Sequence, residues 1–397
     1  LTVGDTLEYE IINRIITPAA PGQFWFQHDF LSGASARDES LEISVPASRA
    51  VVIRSPNFAY NRVAAGRRTI YLWKRTDAHP SSQTNSTDDN STPGEEHPPD
   101  VQLTSFANWA EVARWYASLE RGRAEPDAAI RAKAAELTHG ATTDLEKIQA
   151  IYDYASKSVR HVGISLGQAG YQPRSAAEVF SSGYADAKDQ QILLAAMLRA
   201  AGFHADAALI PYTRTLDVET PSPAQFQHVI TAVPLGTQTI WMDSTVGLAP
   251  FRMLPAPLRG KSALLVASDG IGRIVKTPAD PPFRSLQQVD IEGTVSPLGL
   301  LAGSVHYSLL GDTELALRLA FQTTPESRWN QLGQTVLAYD GIRGEVTSVK
   351  PSNLGEFEKP FTFDVGFTET NFFDWSAKST TAAMPLLAIG LPTPPQK

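Results

Sequence analysis

The sequence predicts an α+β chain, with a mixed core set between an N-terminal and a C-terminal β-rich domain. Three observations carry this. Period-2 alternation dominates residues 1–78 and 283–397, helical spacing dominates 105–203, and strand-like runs close the core from 205 to 275. The domains read as 1–78, a polar linker over 79–104, a core over 105–275, and a last domain over 283–397.

In the first domain, residues 7–11 and 41–45 alternate, and Pro and Gly punctuate the intervals. Residues 23–28 are rich in aromatics and read as a strand packed on both faces. Arg67, Arg68, Lys74 and Arg75 surround 69–73, which reads as a solvated edge strand. The chain opens inside a turn and a strand. We therefore expect upstream sequence with a signal peptide, and a periplasmic or secreted location. The linker is too polar to offset its ordering entropy. Its two Asn-x-Thr sequons, at Asn85 and Asn90, read as chance in a Ser/Thr/Asn-rich run.

In the core, Trp109, Val112, Ala113, Tyr116 and Leu119 keep helical spacing. Thr143 and Glu146 form a capping-box signature ahead of Ile148, Ile151, Tyr152 and Ala155. A third helix, 188–201, carries Ile192, Leu193, Ala196, Met197 and Ala200 on one face and stops at Gly202. Strands follow at 205–210, 227–233, 239–243 and 263–266. The last domain alternates over 288–295 and 302–310, with one helical interruption over 312–337 and a frayed end at 391–397.

Composition narrows the function. The 397 residues are 42% hydrophobic and 19% charged, ordinary for a folded protein. A net charge of −8 argues against nucleic acid, whose phosphates call for a basic surface. No apolar run reaches the ~20 residues that span a bilayer. There is no cysteine, so disulfides, thiolate metal sites and thiol catalysis are excluded together. The eight histidines show no metal-ligand spacing, and no metal or cofactor is expected.

One constellation carries chemistry. His228 lies on one strand and Asp243 on the next. With a two-residue loop at Leu235-Gly236 the two face each other, Cβ atoms about 4.5–5.5 Å apart. A carboxylate so placed holds an imidazole tautomer. Ala187 stands at the start of the 188–201 helix, where a thiolate would be stabilised by the helix N-terminus. Ser181 and Ser182 precede it on what reads as a loop, out of line with His228. Without further information, a His-Asp pair of this kind reads as a structural hydrogen bond.

The stretches 160–167, 170–173, 176–180, Tyr184-Ala185-Asp186-Ala187-Lys188-Asp189 and 193–202 resemble those of bacterial transglutaminase-like proteins with flanking β domains. Their motif reads Tyr-Gly-Asp-Cys-Lys-Asp, followed by strands with Phe-x-His and Trp-x-Asp. Here the strands supply Phe226-Gln227-His228 and Trp241-Met242-Asp243. The resemblance implies a papain-like core and a Cys-His-Asp triad whose nucleophile position is Ala187. Tyr184, Asp186 and Trp241 would then line the groove. It departs from the pattern at Ala185, in place of glycine, and at Ala187. The implied function is a catalytically inactive protein that binds a peptide, protein chain or other polymer in a vestigial groove. Two alternatives stay open. One is a cysteine protease or amide acyl-transferase with an engineered Cys-to-Ala change. The other is a structural interaction protein using its β domains. Oligomeric state is not legible.

Overall fold

The computed structural model describes residues 5–31, 35–78, 98–164, 170–267, 270–357 and 359–373. The two sequons, most of the linker and the 391–397 tail lie outside them. The chain divides into two compact units. The first holds 1–151, 159–240 and 260–277; the second holds 152–158, 241–259 and 278–397.

The first unit begins with six strands: β1 (Trp25–His28), β2 (Ala36–Pro46), β3 (Val52–Arg54), β4 (Asn61–Ala65), β5 (Arg68–Ala78) and β6 (Val101–Thr104). They form two antiparallel sheets, β1-β6-β3 and β2-β5-β4. Phe30, Val45, Tyr71, Trp73 and Val101 make their shared core.

Four expectations change here. Residues 7–11 form no strand, and Leu7, Tyr9 and Ile11 are exposed together with Ile12, Ile15 and Ile16. Alternation buries a face only where a partner strand covers it, and no described strand does. β5 is the middle strand of its sheet, not an edge. Trp73 is buried and donates to Ser55 Oγ, while Arg68 turns back onto Ser44. Residues 23–28 are not packed on both faces. Trp25 packs inward among Phe106, Trp115 and Tyr171, but Phe26 is exposed. Residues 101–104, expected in the linker, form the fully buried β6 because their apolar run lies between two strands.

The core follows, with α1 (Trp109–Glu120), α2 (Ala128–Thr138), α3 (Asp144–Ser158), β7 (Arg160–His161), α4 (Ala176–Ser182), β8 (Tyr184–Ala185) and α5 (Ala187–Ala200). The capping box at Thr143 and Glu146 forms as expected, with both hydrogen bonds present. Then come β9 (Asp206–Ile210), β10 (His228–Leu235), β11 (Gln238–Met242), β12 (Ser262–Val266) and β13 (Gly272–Lys276), in the sheet order β11-β10-β9-β12-β13. α5 packs on β10, α2 and α4 pack on α5, and α1 covers β12 and β13. α1 approaches closely because Gly272 has no side chain; a Cβ there would sit 2.2 Å from that of Ala113.

α5 buries every residue from Ala187 to Leu198. The sequence suggested a one-faced helix. Instead it is wrapped by sheet and helices, and its polar residues Lys188, Asp189, Gln190 and Gln191 are buried with the apolar ones.

In the second unit, β14 (Leu286–Val295), β15 (Leu301–Leu310), β16 (Glu345–Pro351) and β17 (Phe361–Glu369) form an antiparallel sheet ordered β14-β15-β17-β16. The helical interruption is two helices, α6 (Asp312–Thr323) and α7 (Trp329–Tyr339), broken around Pro325. Val305, Tyr307, Phe321, Leu337, Phe361, Phe363 and Val365 fill the core. Arg318 on α6 is completely buried. Its guanidinium pairs with Glu314 at 2.9 Å and donates to the carbonyls of Asn353, Leu354 and Glu356.

Arg318 thus ties α6 to the loop between β16 and β17. Arg318→Leu removes the cation that faces Glu314 and the donors that reach three carbonyls. We expect a loss of about 3–5 kcal/mol in urea unfolding, because one partner of a buried pair is then uncompensated. A loss under about 1 kcal/mol would contradict this role.

Candidate functional site

The site is built on α4, α5 and the two-residue strand between them. Ser175 caps α4 and Glu178 reaches back to its backbone, a complete capping box. α4 ends at Gly183 with φ of 68°, and its N–H donates to the Val179 carbonyl. That left-handed turn suits glycine and sends the chain back as β8. β8 pairs in parallel with β7, and the amides of Arg160 and Val162 donate to the carbonyls of Gly183 and Ala185. Ser181 and Ser182, expected on a loop, are the last two residues of α4. Their hydroxyls bond to the carbonyls of Glu178 and Val179.

α5 begins where expected, with Asp186 as N-cap and Ala187 as the first helical residue. The Asp186 carboxylate accepts from the Asp189 N–H and pairs with the Lys188 ammonium. Asp189 is held from outside α5, accepting the Arg174 amide at 2.8 Å and its Nε at 2.7 Å. The Arg174 guanidinium also donates to the Tyr184 carbonyl and stacks 4.7 Å from the Tyr184 ring. Gln190 bridges the Val159 carbonyl and His161 Nδ1. The first turn of α5 is therefore fixed by residues of at least three other segments. Burial keeps the nearby Tyr116 hydroxyl un-ionised, and the carboxylates of Glu120, Asp186 and Asp189 add to this.

Tyr184 is exposed and Asp186 buried. The Ala187 methyl belongs to the same apolar cluster as Phe226, Val229 and Tyr171, and α5 packs on β10, the strand that carries His228. His228 is the first residue of β10, is buried, and pairs with Ile210. The Tyr212 ring meets its imidazole edge-on at 5.8 Å.

Trp241 and Asp243 belong to the second unit. Trp241 is half-buried in β11, and Asp243 is the buried residue just after that strand. Asp243 Oδ1 accepts the Thr245 amide at 3.0 Å and its hydroxyl at 2.7 Å. The Tyr152 hydroxyl donates to the Asp243 carbonyl. The hairpin loop is Gly236-Thr237 and not Leu235-Gly236. This moves the expected pairing by two residues, so direct opposition of His228 and Asp243 does not follow from the loop. An even shift leaves the side-chain parity unchanged.

Residues 131–241 match the family model of the Transglutaminase-like superfamily. The core of this chain is transglutaminase-like. Residues 1–82 match a domain of unknown function, DUF3857. The transglutaminase-like match includes Ala187 and His228 and stops two residues before Asp243. A Parabacteroides distasonis protein named a "putative protease" shares the fold, with a TM-score of 0.51 at 13% identity over 88% of this chain and 69% of that one. A Cytophaga hutchinsonii protein named a "putative cysteine protease" gives a TM-score of 0.28 at 11% identity, over 64% of this chain and 84% of that one. That score is too low to carry an argument. No curated protein matches.

Sequence reasoning missed Arg174, His161 and Gln190 in the transglutaminase-like core. Arg174 sits beyond Pro173 with no charge pattern to mark it, and its target Asp189 is fifteen residues away. The acids of the motif were visible, but what holds them was not. Among the described residues, no group of three His, Asp or Glu is arranged to hold a metal ion. Among the same residues, no helix is long and apolar enough to cross a membrane.

The buried Asp186–Lys188 pair separates two effects. Asp186→Asn keeps a capping side chain but strands the Lys188 ammonium, and we expect a loss of about 3 kcal/mol. Asp186→Ala removes the cap as well and should cost about 1 kcal/mol more. Urea unfolding of both variants measures the difference. Equal stabilities would show that the cap contributes nothing.

Proposed function

We propose that this chain is a catalytically inactive transglutaminase-like protein of the periplasm or cell exterior. In this reading it binds a peptide or other polymer segment in a vestigial groove around Tyr184, Asp186 and Trp241. Ala187, His228 and Asp243 are then the three positions of a former Cys-His-Asp site. The observation that carries the proposal is Ala187 as first residue of a capped, buried helix packed on the strand that begins with His228. A thiol there would meet the positive end of a helix beside an imidazole, the setting that stabilises a thiolate. A methyl group has no lone pair with which to attack a carbonyl.

Ala185 favours natural divergence over an engineered change. Its side chain is completely buried in β8, and its φ is not in the left-handed region, so alanine fits without strain. An inactivating substitution aimed at a nucleophile has no reason to alter the residue two places earlier. The rival reading, a thiol protease or acyl-transferase with cysteine at 187 in its gene, is separated by the codon at that position.

Ala187→Cys tests the ancestry. The new thiol should be alkylated by iodoacetamide with an apparent pKa at least about one unit below the ~8.5 of a free cysteine. Adding His228→Ala should raise that value. A thiol that titrates like a free cysteine, with alkylation indifferent to His228, would sink the reading. The unsubstituted chain has no cysteine and serves as the blank.

A further inference from the structure

A cavity of about 340 Å³ lies in the first unit where the C-terminus of α1 meets the flank of α5. Ala117, Ala124, Ile192, Ala195, Ala207 and Val266 give it apolar walls. Two of its lining residues carry a buried side-chain oxygen that has no hydrogen-bond partner among the described residues. The Gln191 side chain is only 3% exposed, and its Oε1 accepts no hydrogen bond from any described residue. Glu120 is half-buried, and its Oε1 is a buried atom that is likewise unpartnered. Each such acceptor is costly when left without a donor. Natural proteins rarely leave two in one cavity without a use.

The surroundings choose the ligand's charge. Glu120 is the last residue of α1, where the helix carbonyls add negative potential. Asp206, at the start of β9, adds more. Glu120 and Gln191 thus offer acceptors to a donor-rich cation. Arg114, Arg121 and Arg199 line the same cavity from exposed positions. Arg199 is committed to Glu125 at 2.6 Å. Arg114 and Arg121 form no ion pair with any described residue.

We propose that this cavity binds a small zwitterion, a short peptide seated ammonium first. Its ammonium sits on Glu120 and Gln191, and its carboxylate lies against Arg114 and Arg121. The volume matches a small ligand and is far too small for a folded partner. The site uses neither the methyl at 187 nor the groove, so it stands whether or not the chain is a former enzyme.

Protonation gives a signature. Burial, reinforced by the Asp206 carboxylate, raises the Glu120 carboxyl to about 8, so it is mostly neutral at pH 6.5. The other ionisable groups around it are Tyr116 on α1, kept neutral, Glu125, held by Arg199, Asp206, paired with His204, and the arginines. An incoming ammonium favours the carboxylate. Binding must therefore release up to one proton below that pKa, and affinity must rise from pH 6 to 8.

The test is calorimetric titration of the full chain with L-alanyl-L-alanine in buffers of different ionisation enthalpy. We expect saturable binding, proton release at pH 6.5, and at least about tenfold weaker binding of both N-acetyl-alanyl-alanine and propylamine. Glu120→Gln, an isosteric change, should weaken the dipeptide about tenfold and abolish proton release. Gln191→Leu provides the second lesion. Absence of binding up to about 10 mM would overturn the proposal. So would equal affinity for the N-acetylated peptide, or a Glu120→Gln variant that folds and binds unchanged.

Discussion

Everything in the transglutaminase-like core is arranged around one difficult burial. The first turn of α5 carries Lys188, Asp189, Gln190 and Gln191 into the interior within four residues. Charges and amides cost several kcal/mol there unless each finds a partner. Asp186 answers Lys188, Arg174 answers Asp189, and Gln190 spans Val159 and His161. These partners come from segments before and after α4. The loop, the paired strands β7 and β8, and the capped end of α4 are therefore fixed together.

This economy explains why the scaffold and the chemistry can part. Nothing that holds the α5 N-terminus passes through the side chain at 187. The methyl occupies an apolar cluster with Phe226 and Val229, and the cap comes from Asp186. A nucleophile at such a position can be lost while the polar network keeps its geometry. The members of this network are costly to strand, with or without a reaction.

The sequence showed most elements and the order of the core, because helical and two-residue periodicities survive without tertiary context. Thr143 and Glu146 announced a helix start that forms as written. The errors arose where a neighbour decides the outcome. β5 became central because β4 pairs with its other side, which charge pattern alone cannot reveal. The hairpin loop moved by one residue, since Gly236 fits the turn in either register. At the site, motif residues were legible, but Arg174 was not, because an ion pair fifteen residues apart leaves no periodic trace. The acceptors of Glu120 and Gln191 were invisible for a similar reason. Burial is a property of what packs around a residue.

The bare stretch before β1 has its own consequence. Leu7, Tyr9, Ile11, Ile12, Ile15 and Ile16 place six large apolar side chains in water within ten residues. Their backbone lies in no sheet. Such a strip combines exposed apolar side chains with a main chain that no described strand pairs, two ingredients of intermolecular cross-β pairing. This stretch is therefore a place where one copy of the chain as given can pair with another. Added denaturant or a shielding fusion would change solubility more than any substitution in the core, and turbidity would grow with protein concentration well below the temperature at which the core melts.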